Sequence, residues 1–177
     1  MICIYAIRTY GIKLMFTGIR AKTACFTGNR KIDENDLTDI MDRLDKVIIT
    51  LAGQGVVYWG CGGCYGFDHA AAFAILNARK QNPAIKLILV LPCYGQSARW
   101  SELNKKNYDY LLERADKVVY VSEQSYFQGC MKKRNQYMIQ HSSVCVAYMR
   151  YGSSGTSQTI RMAREHGLSV INLAELR

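Results

Sequence analysis

Short apolar runs alternate with longer amphipathic stretches along most of this chain of 177 residues. The apolar runs are rich in β-branched and aliphatic side chains, which is typical of buried strands. They predict strands at residues 23–27, 56–59, 86–91, 117–121, 144–148 and 169–173. The stretches between them repeat apolar residues at helical spacing and predict helices near residues 33–53, 68–81, 104–115, 128–141 and 157–166.

This alternation predicts a fold of the α/β class, a Rossmann-like three-layer sandwich with a mostly parallel central sheet. Residues 23–177 are expected to form this single domain, whereas residues 1–22 fit the pattern poorly and predict an N-terminal extension or an extra strand. Ligands of such sheets bind at the carboxyl ends of the strands. The loops that follow the strands are therefore where a binding site is expected.

The composition favours a well-packed protein with an anionic partner. Hydrophobic residues make up 49% of the chain and the formal net charge is +9, which fits a nucleotide, a nucleic acid or another phosphorylated ligand. The densest basic run, Lys132-Lys133-Arg134, is too short for a nucleic-acid-binding tail. The 7 cysteines, without a clear export signal, predict a reduced cytoplasmic protein with free thiols. No stretch approaches the length of a membrane span, so no membrane association is expected.

A loop of small residues, Gly152-Ser153-Ser154-Gly155-Thr156, joins a predicted strand to the last predicted helix. Such a loop can present backbone N–H groups to a phosphate, and the helix dipole favours negative charge at the same place. A flexible connection without a ligand is the alternative. The remaining loops have to distinguish the two.

Two earlier loops carry similar chemistry. Thr27-Gly28-Asn29-Arg30 offers a hydroxyl, an amide and a guanidinium to a phosphate or ribose, although a turn with a surface arginine would look the same. The loop at residues 60–68 contains four glycines, Gly62 and Gly66 among them, which indicates the close approach of a ligand or of another backbone. Asp68 is expected to be the N-cap of the following helix, with a ribose contact as a second role.

The loop at residues 92–100 adds aromatic and amide side chains. Trp100 or Tyr94 could stack on a base and Arg99 could meet a phosphate, the alternative being a packed aromatic residue beside a solvated arginine. Arg134 and Asn135, on the helix before the loop at residues 152–156, could point back at that loop.

The cysteine and histidine positions predict no metal site and no bound cofactor. Cys61 and Cys64 could be a redox pair with a lowered thiol pKa or half of a zinc site, but no second ligand pair appears in the sequence. Small thiols in a glycine loop, without a chemical role, are the simpler interpretation.

Taken in order, these segments resemble the SLOG superfamily, and in particular its YpsA-like branch. The resemblance runs over about residues 23–173 and rests on residues 23–30, Gly66-Phe67-Asp68, Pro92-Cys93 with Gln96 and Trp100, Ala115-Asp116-Lys117-Val118 with Ser122 and Tyr126, Arg134-Asn135 with Met138, and Ser154-Gly155-Thr156 with Thr159.

The resemblance implies a bacterial domain that binds a nucleotide-like small molecule in a regulatory or sensing role. Such a ligand would be a nucleoside phosphate, an ADP-ribose-like compound or a cyclic nucleotide signal. Relatives in this superfamily include LOG-type phosphoribohydrolases and the DNA-processing DprA proteins, and dimers are common among them, so a homo-oligomer is an expectation by analogy. The candidate ligand-binding residues are Thr27, Gly28, Asn29, Arg30, Gly62, Gly66, Phe67, Asp68, Gln96, Trp100, Arg134, Asn135, Gly152, Ser153, Ser154, Gly155, Thr156 and Thr159.

Departures from the pattern bear on catalysis. Thr159 stands where LOG-type enzymes carry a glutamate needed for hydrolysis, and a threonine has no carboxylate to stabilise an oxocarbenium-like centre. Ser153-Ser154 replaces a glycine pair, and Asn29 replaces the usual histidine of the YpsA-like branch. The sequence therefore favours binding without turnover. An N-glycosidic phosphoribohydrolase using Asp68, or a DprA-like binder of single-stranded nucleic acid, remain alternatives.

Overall fold

The computed structural model describes residues 18–150 and 155–175. Within them the strands are β1 (Thr23–Gly28), β2 (Tyr58–Cys61), β3 (Lys86–Leu91), β4 (Lys117–Tyr120), β5 (Val144–Tyr148) and β6 (Ser169–Asn172). The helices that alternate with them are α1 (Glu34–Gly53), α2 (Phe67–Gln81), α3 (Glu102–Arg114), α4 (Cys130–Gln140) and α5 (Gly155–Glu165). The extension or extra strand predicted at residues 1–22 lies mostly outside the described residues, and its described end is a short 3-10 turn, Arg20–Lys22.

All six described strands run parallel, in the order β4-β3-β2-β1-β5-β6. The chain builds outward from β1 to β4 and then crosses back to place β5 on the other side of β1. The strand order therefore reverses between β1 and β5, and this switch point is where Rossmann-like sheets bind ligands. The predicted α/β Rossmann-like architecture is confirmed.

Alternate residues of the strands face two different helix layers. Phe26 of β1 belongs to the larger core, which is formed with α1, α2 and α3, whereas Cys25 beside it belongs to a smaller core formed with α4 and α5. Phe26 and Trp59 are fully buried and stack with ring centroids 6.0 Å apart. Burial of one such side chain stabilises the fold by about 1.5–3 kcal/mol, so this aromatic pair anchors β1 and β2 to the larger core.

Helix α1 illustrates how the sequence pattern becomes structure. The side chain of Asp33 caps the helix as predicted, accepting a hydrogen bond of 3.0 Å from the backbone N–H of Asn35. Ile40, Leu44 and Ile48 of its apolar stripe are fully buried. Leu37, at the start of the same stripe, is 45% exposed, so the stripe extends beyond the core that it packs against.

The N-terminus of α2 differs from the prediction. Its N-cap is Gly66, which has a φ of 85°, and Asp68 lies inside the first turn. The prediction that Asp68 caps this helix is therefore wrong. A residue at the second position of a helix can turn its side chain toward a neighbouring element, and Asp68 does so.

Other boundaries shift by one to a few residues. The second strand begins at Tyr58 instead of residue 56, and α4 begins at Cys130 instead of residue 128. Helix α3 begins at Glu102 because the hydroxyl of Ser101 caps it, accepting a hydrogen bond from the backbone N–H of Asn104. At α3 a local capping residue, and not the apolar pattern, thus sets the start of the helix.

Asp116 fixes the start of β4 against β3. Its Oδ2 accepts hydrogen bonds from the backbone N–H of Leu87 (2.9 Å) and from Nη1 of Arg79 (2.7 Å), and Nζ of Lys86 lies 3.4 Å from its Oδ1. Burial opposes ionisation of this carboxyl, but the hydrogen bonds and the two cations outweigh burial and hold the pKa of Asp116 below its ordinary value.

Replacing Asp116 with alanine is expected to lower the free energy of unfolding by about 1–3 kcal/mol near neutral pH, because the Leu87 N–H and Arg79 lose their acceptor. A carboxyl with a depressed folded-state pKa stabilises the fold above its unfolded pKa, about 3.9, and this stabilisation is lost as the pH falls through the folded-state pKa. Urea denaturation at several pH values should show the difference from wild type shrinking below about pH 4.

The matched control is Asp109→Ala, at an exposed position of α3. It should change the free energy of unfolding by no more than about 0.5 kcal/mol at any of these pH values. A neutral-pH midpoint for Asp116→Ala equal to that of wild type would contradict the anchoring role of Asp116.

Candidate anion site at the switch point of the sheet

A cavity of about 500 Å³ lies at the carboxyl ends of the central strands. It opens where β1 and β5 neighbour each other and where the first turns of α4 and α5 begin. Its described lining residues are Phe26, Thr27, Gly28, Asn29, Arg30, Lys31, Cys64, Asp68, Met131, Arg134, Asn135, Gly155 and Thr156. The loops after β1 and β2 and the first turns of α4 and α5 therefore meet at one site.

A buried ion pair forms one wall of this cavity. Nη1 of Arg134 lies 3.3 Å from Oδ2 of Asp68, and each side chain is only 8% exposed. The same carboxylate oxygen accepts a hydrogen bond from the backbone N–H of Cys64 at 3.4 Å. Nε of Arg134 is buried and has no hydrogen-bond partner among the described residues, so the protein leaves this guanidinium incompletely satisfied.

Gly62 leaves the space that this ion pair occupies. A Cβ at this position would fall on Nη1 of Arg134 and would lie 2.6 Å from Oδ2 of Asp68. The packing of the Arg134 side chain is therefore enough to require a glycine at position 62.

Two further glycines also serve the packing of the protein. A Cβ on Gly28 would overlap the ring of Phe67, and a Cβ on Gly66 would overlap the carbonyl of Arg30. Phe67 itself is fully buried and stacks on Tyr148 with ring centroids 5.7 Å apart. These residues bring the end of β1 against the start of α2, and Gly62, Gly66 and Phe67 stand behind the cavity wall.

Asn135 and Thr159 tie α4 to α5 beside the cavity. Nδ2 of Asn135 donates a hydrogen bond of 2.8 Å to Oγ1 of Thr159, and that hydroxyl donates one of 2.7 Å to the carbonyl of Gly155. Thr159 is 1% exposed and does not line the cavity. Asn135 does line the cavity, and its Nδ2 is held in place by the hydrogen bond to Thr159.

Nine of the predicted residues share this cavity: Thr27, Gly28, Asn29, Arg30, Asp68, Arg134, Asn135, Gly155 and Thr156. Gly152, Ser153 and Ser154 lie outside the described residues. Lys31 and Met131 also line the cavity and were missed by sequence reasoning. Lys31 could have been found because it directly follows the arginine of the loop after β1, whereas nothing in the sequence marks Met131.

Gln96 and Trp100 are not brought to this cavity. Gln96 is buried, and its Nε2 donates a hydrogen bond of 3.4 Å to the carbonyl of Gly63. The ring of Trp100 packs edge-on against Tyr65, His69 and Tyr108, at centroid distances of 5.3, 5.9 and 5.4 Å. A packed aromatic residue, the alternative raised for Trp100, is what the structure shows.

The two cysteines near the site, Cys61 and Cys64, are buried free thiols. Burial, reinforced by the nearby charge of Asp68, raises the pKa of both Cys61 and Cys64, which opposes the thiolate that redox chemistry needs. A raised pKa fits small buried thiols without a chemical role, the interpretation preferred from the sequence, better than it fits a redox pair. Among the described residues, no group of three or more His, Cys, Asp or Glu side chains could hold a metal ion.

The electrostatics of the cavity favour an anion. Arg30, Lys31 and Arg134 are the arginine and lysine residues of its described lining, and Asp68 is the single acidic residue there. The N-terminal turns of α4 and α5 add backbone N–H groups and the positive ends of two helix dipoles. A phosphate or carboxylate is the group that this arrangement can hold.

The family follows from a comparison with known proteins. A family model described as the YspA SLOG family, named YpsA, matches residues 14–167. The chain belongs to this family. The resemblance first drawn from the separate loop motifs is thereby confirmed, and the match contains the whole of the cavity lining.

Individual relatives of this SLOG protein come from bacilli. The chain is 32% identical over 115 residues to the uncharacterized SPbeta prophage-derived protein YoqJ of Bacillus subtilis (strain 168), over 59% of this chain and 67% of that protein. It is 30% identical over 118 residues to a UPF0398 protein of Bacillus pumilus, over 66% of this chain and 63% of that protein. The chain thus spans about two thirds of the length of these relatives.

Solved structures of DNA processing protein A show the same fold. The protein from Streptococcus pneumoniae has a TM-score of 0.56 and 20% identity, over 84% of this chain and 48% of that one. The protein from Helicobacter pylori, described for its single-stranded DNA binding mode, has a TM-score of 0.59 and 19% identity, over 84% of this chain and 63% of that one.

In the part of this SLOG chain that the structure describes, no helix is long and apolar enough to cross a bilayer.

Gly62→Ala is expected to lower the free energy of unfolding by about 1–3 kcal/mol, because the added methyl group displaces Arg134 from Asp68 in a packed site. Thermal and urea denaturation measure the loss. The matched control is Gly53→Ala, where an added Cβ meets nothing within 4 Å and the last helical position of α1 gains helix propensity. A Gly62→Ala protein as stable as the Gly53→Ala protein would refute this account of the ion pair.

Proposed function

We propose that this SLOG protein binds a nucleotide, or a ligand derived from one, through its phosphate at the switch-point cavity and does not cleave it. The observation that carries this proposal is the convergence of Arg30, Lys31 and Arg134 with the N-termini of α4 and α5 around about 500 Å³ of space. Backbone N–H groups at helix ends and guanidinium groups are the donors that proteins use for phosphate.

The volume and the position support a nucleotide more than a free inorganic ion. The cavity would leave much of its space empty around a bare phosphate, and ligand pockets for small organic molecules begin at about 300 Å³. Thr27 and Asn29 offer a hydroxyl and an amide near the cations, which suits the hydroxyl groups of a ribose. A role in sensing or regulation fits a site that holds such a ligand without reacting with it.

The hydrogen bonding speaks against hydrolysis. The position of the LOG-type glutamate is Thr159, whose hydroxyl is engaged with Asn135 and Gly155. Asp68 is already bound to Arg134 and to the Cys64 N–H, so it is not a free acid or base for a glycosidic bond. Release of free base from a nucleoside monophosphate, abolished by Asp68→Asn, would favour the hydrolase alternative instead.

Single-stranded nucleic acid is a second candidate ligand. It draws on the formal net charge of +9 and on the fold shared with DNA processing protein A, whose Helicobacter pylori form binds single-stranded DNA. If this ligand is the right one, the affinity for an oligonucleotide should fall steeply as the salt concentration rises, because lysine and arginine side chains would displace the counterions of its phosphates. The affinity for a mononucleotide bound in the cavity should depend much less on the salt concentration.

Calorimetric titration with nucleoside monophosphates, ADP-ribose and cyclic dinucleotides tests the proposal. At least one ligand should bind with saturation, and Lys31→Ala should weaken it by about 10-fold or more, because a charge-assisted hydrogen bond contributes about 1.5–3 kcal/mol. Arg134→Lys should also weaken binding, because lysine keeps the charge but loses the planar fork of donors. Asp68→Asn is not used to test binding, because this variant breaks the ion pair with Arg134 and changes the cavity wall itself.

The matched control is Arg161→Ala, on α5 with its side chain 76% exposed and paired only with Glu165 at 3.8 Å in the described structure. Circular dichroism and thermal unfolding establish that each variant folds. If Lys31→Ala and Arg134→Lys bind as tightly as Arg161→Ala, the cavity is not the binding site and the proposal fails.

A further inference from the structure

A second cavity, of about 560 Å³, adjoins the first and shares Arg30 with it. It lies between the N-terminal turns of α1 and α2 and the side of α3. Its described lining residues are Arg30, Ile32, Asp33, Glu34, Leu37, Met41, Tyr65, Gly66, His69, Ala70, Phe73, Asn104 and Asn107. The proposed phosphate site does not use these side chains, apart from Arg30.

The walls of this second cavity are largely apolar and are left uncovered by the fold. Leu37 is 45% exposed although it belongs to the apolar stripe of α1, and Ile32, Met41 and Phe73 are only half-buried. Ile32, Met41 and Phe73 pack against the core with part of their surface and leave the rest open to this cavity. A flat apolar group would remove this surface from water at about 25 cal/mol for each Å² buried.

Tyr65 provides a ring that is already fixed in place. The guanidinium of Arg30 lies over its ring at 5.8 Å from the centroid, and Trp100 meets it edge-on at 5.3 Å. Trp100, which does not reach the first cavity, thus supports the wall of the second. A held aromatic ring beside open apolar surface is suited to a planar ring of a ligand.

The charged side chains that line the second cavity are mainly acidic, whereas those that line the first are mainly basic. Asp33 and Glu34 bring carboxylates, and Asn104 and Asn107 bring amides, whereas Arg30 is the single arginine or lysine in its described lining. Both hydrogen bonds that the Asp33 side chain accepts from Asn35 fall on Oδ1. Burial lowers the pKa of His69, which keeps its imidazole neutral near neutral pH. The cavity therefore offers acceptors to N–H donors and disfavours a second phosphate.

We propose that this second cavity takes the amino-bearing base of the same nucleotide whose phosphate occupies the switch-point cavity. The inference rests on the proposed function, and it adds the ligand class: adenine, guanine or cytosine nucleotides in preference to uridine nucleotides. Arg30 stands between the two parts of the ligand, with its carbonyl against Gly66 and its guanidinium over Tyr65. The phosphate-binding cations and the base-binding wall are thereby held in one fixed relation.

The test compares ribose 5-phosphate, AMP, GMP, CMP and UMP by calorimetric titration with the full chain. The best of the amino-bearing nucleotides should bind about 10-fold or more tightly than ribose 5-phosphate and than UMP, which corresponds to about 1.4 kcal/mol. Leu37→Trp, which fills the second cavity from an exposed helical position, should remove that advantage and leave the affinity for ribose 5-phosphate unchanged.

The matched control is Ile49→Trp, an exposed position of α1 (67%) that lines neither cavity. It should keep the preference for the amino-bearing nucleotide. If ribose 5-phosphate binds as tightly as every nucleotide and Leu37→Trp changes neither, the second cavity is not a base site, while loss of binding in Lys31→Ala would still uphold the phosphate site. If neither ribose 5-phosphate nor any nucleotide binds, both inferences are overturned.

Discussion

The buried ion pair between Asp68 and Arg134 is the constraint on which the candidate site depends. Desolvating two charges is costly, and the cost is offset only when geometry and further hydrogen bonds are favourable. Here the Cys64 N–H supplies such a bond and Gly62 supplies the space. The pair joins the first turn of α2 to α4, so two helices from opposite faces of the sheet meet at the carboxyl ends of its central strands.

Much of the remaining geometry follows from that junction. With α2 drawn in, Phe67 packs on Gly28 and Tyr148, and the end of β1 is held against the end of β5. A hydrogen bond of 3.3 Å from the Asn29 N–H to the Tyr148 carbonyl closes the same contact in the backbone. The cations of the loop after β1 are therefore presented from a rigid support, which lowers the conformational entropy lost when a ligand orders them.

The fold could be predicted from the sequence because the buried strands and the stripes of the helices have strong apolar periodicity. β3 and β5 have the predicted bounds, and Asp33 caps α1 as expected. Asp68 was misassigned because the positive φ of Gly66, which makes it the cap, is a property of the backbone and not of the residue pattern.

The location of the site could be predicted from the sequence, but the contacts that its individual residues make could not. Convergence of post-strand loops follows from the topology alone, so Arg30 and Arg134 could be placed together. Whether a glycine makes room for a ligand or for a neighbouring side chain depends on long-range packing, so the contact of Gly62 with Arg134 could not be predicted from the sequence. The exposure of Leu37 could not be predicted either, because helical spacing identifies an apolar face without showing which residues pack against it.

The link from Asn135 through Thr159 to Gly155 bears on how this branch of the family could diverge from hydrolases. A glutamate at position 159 would lose the hydroxyl that donates to the Gly155 carbonyl, and it would bring a charge to a place that is 1% exposed. A glutamate introduced at position 159 is therefore expected to lower the free energy of unfolding unless position 135 and the start of α5 change with it. A single residue difference at this position thus understates the structural change that it requires.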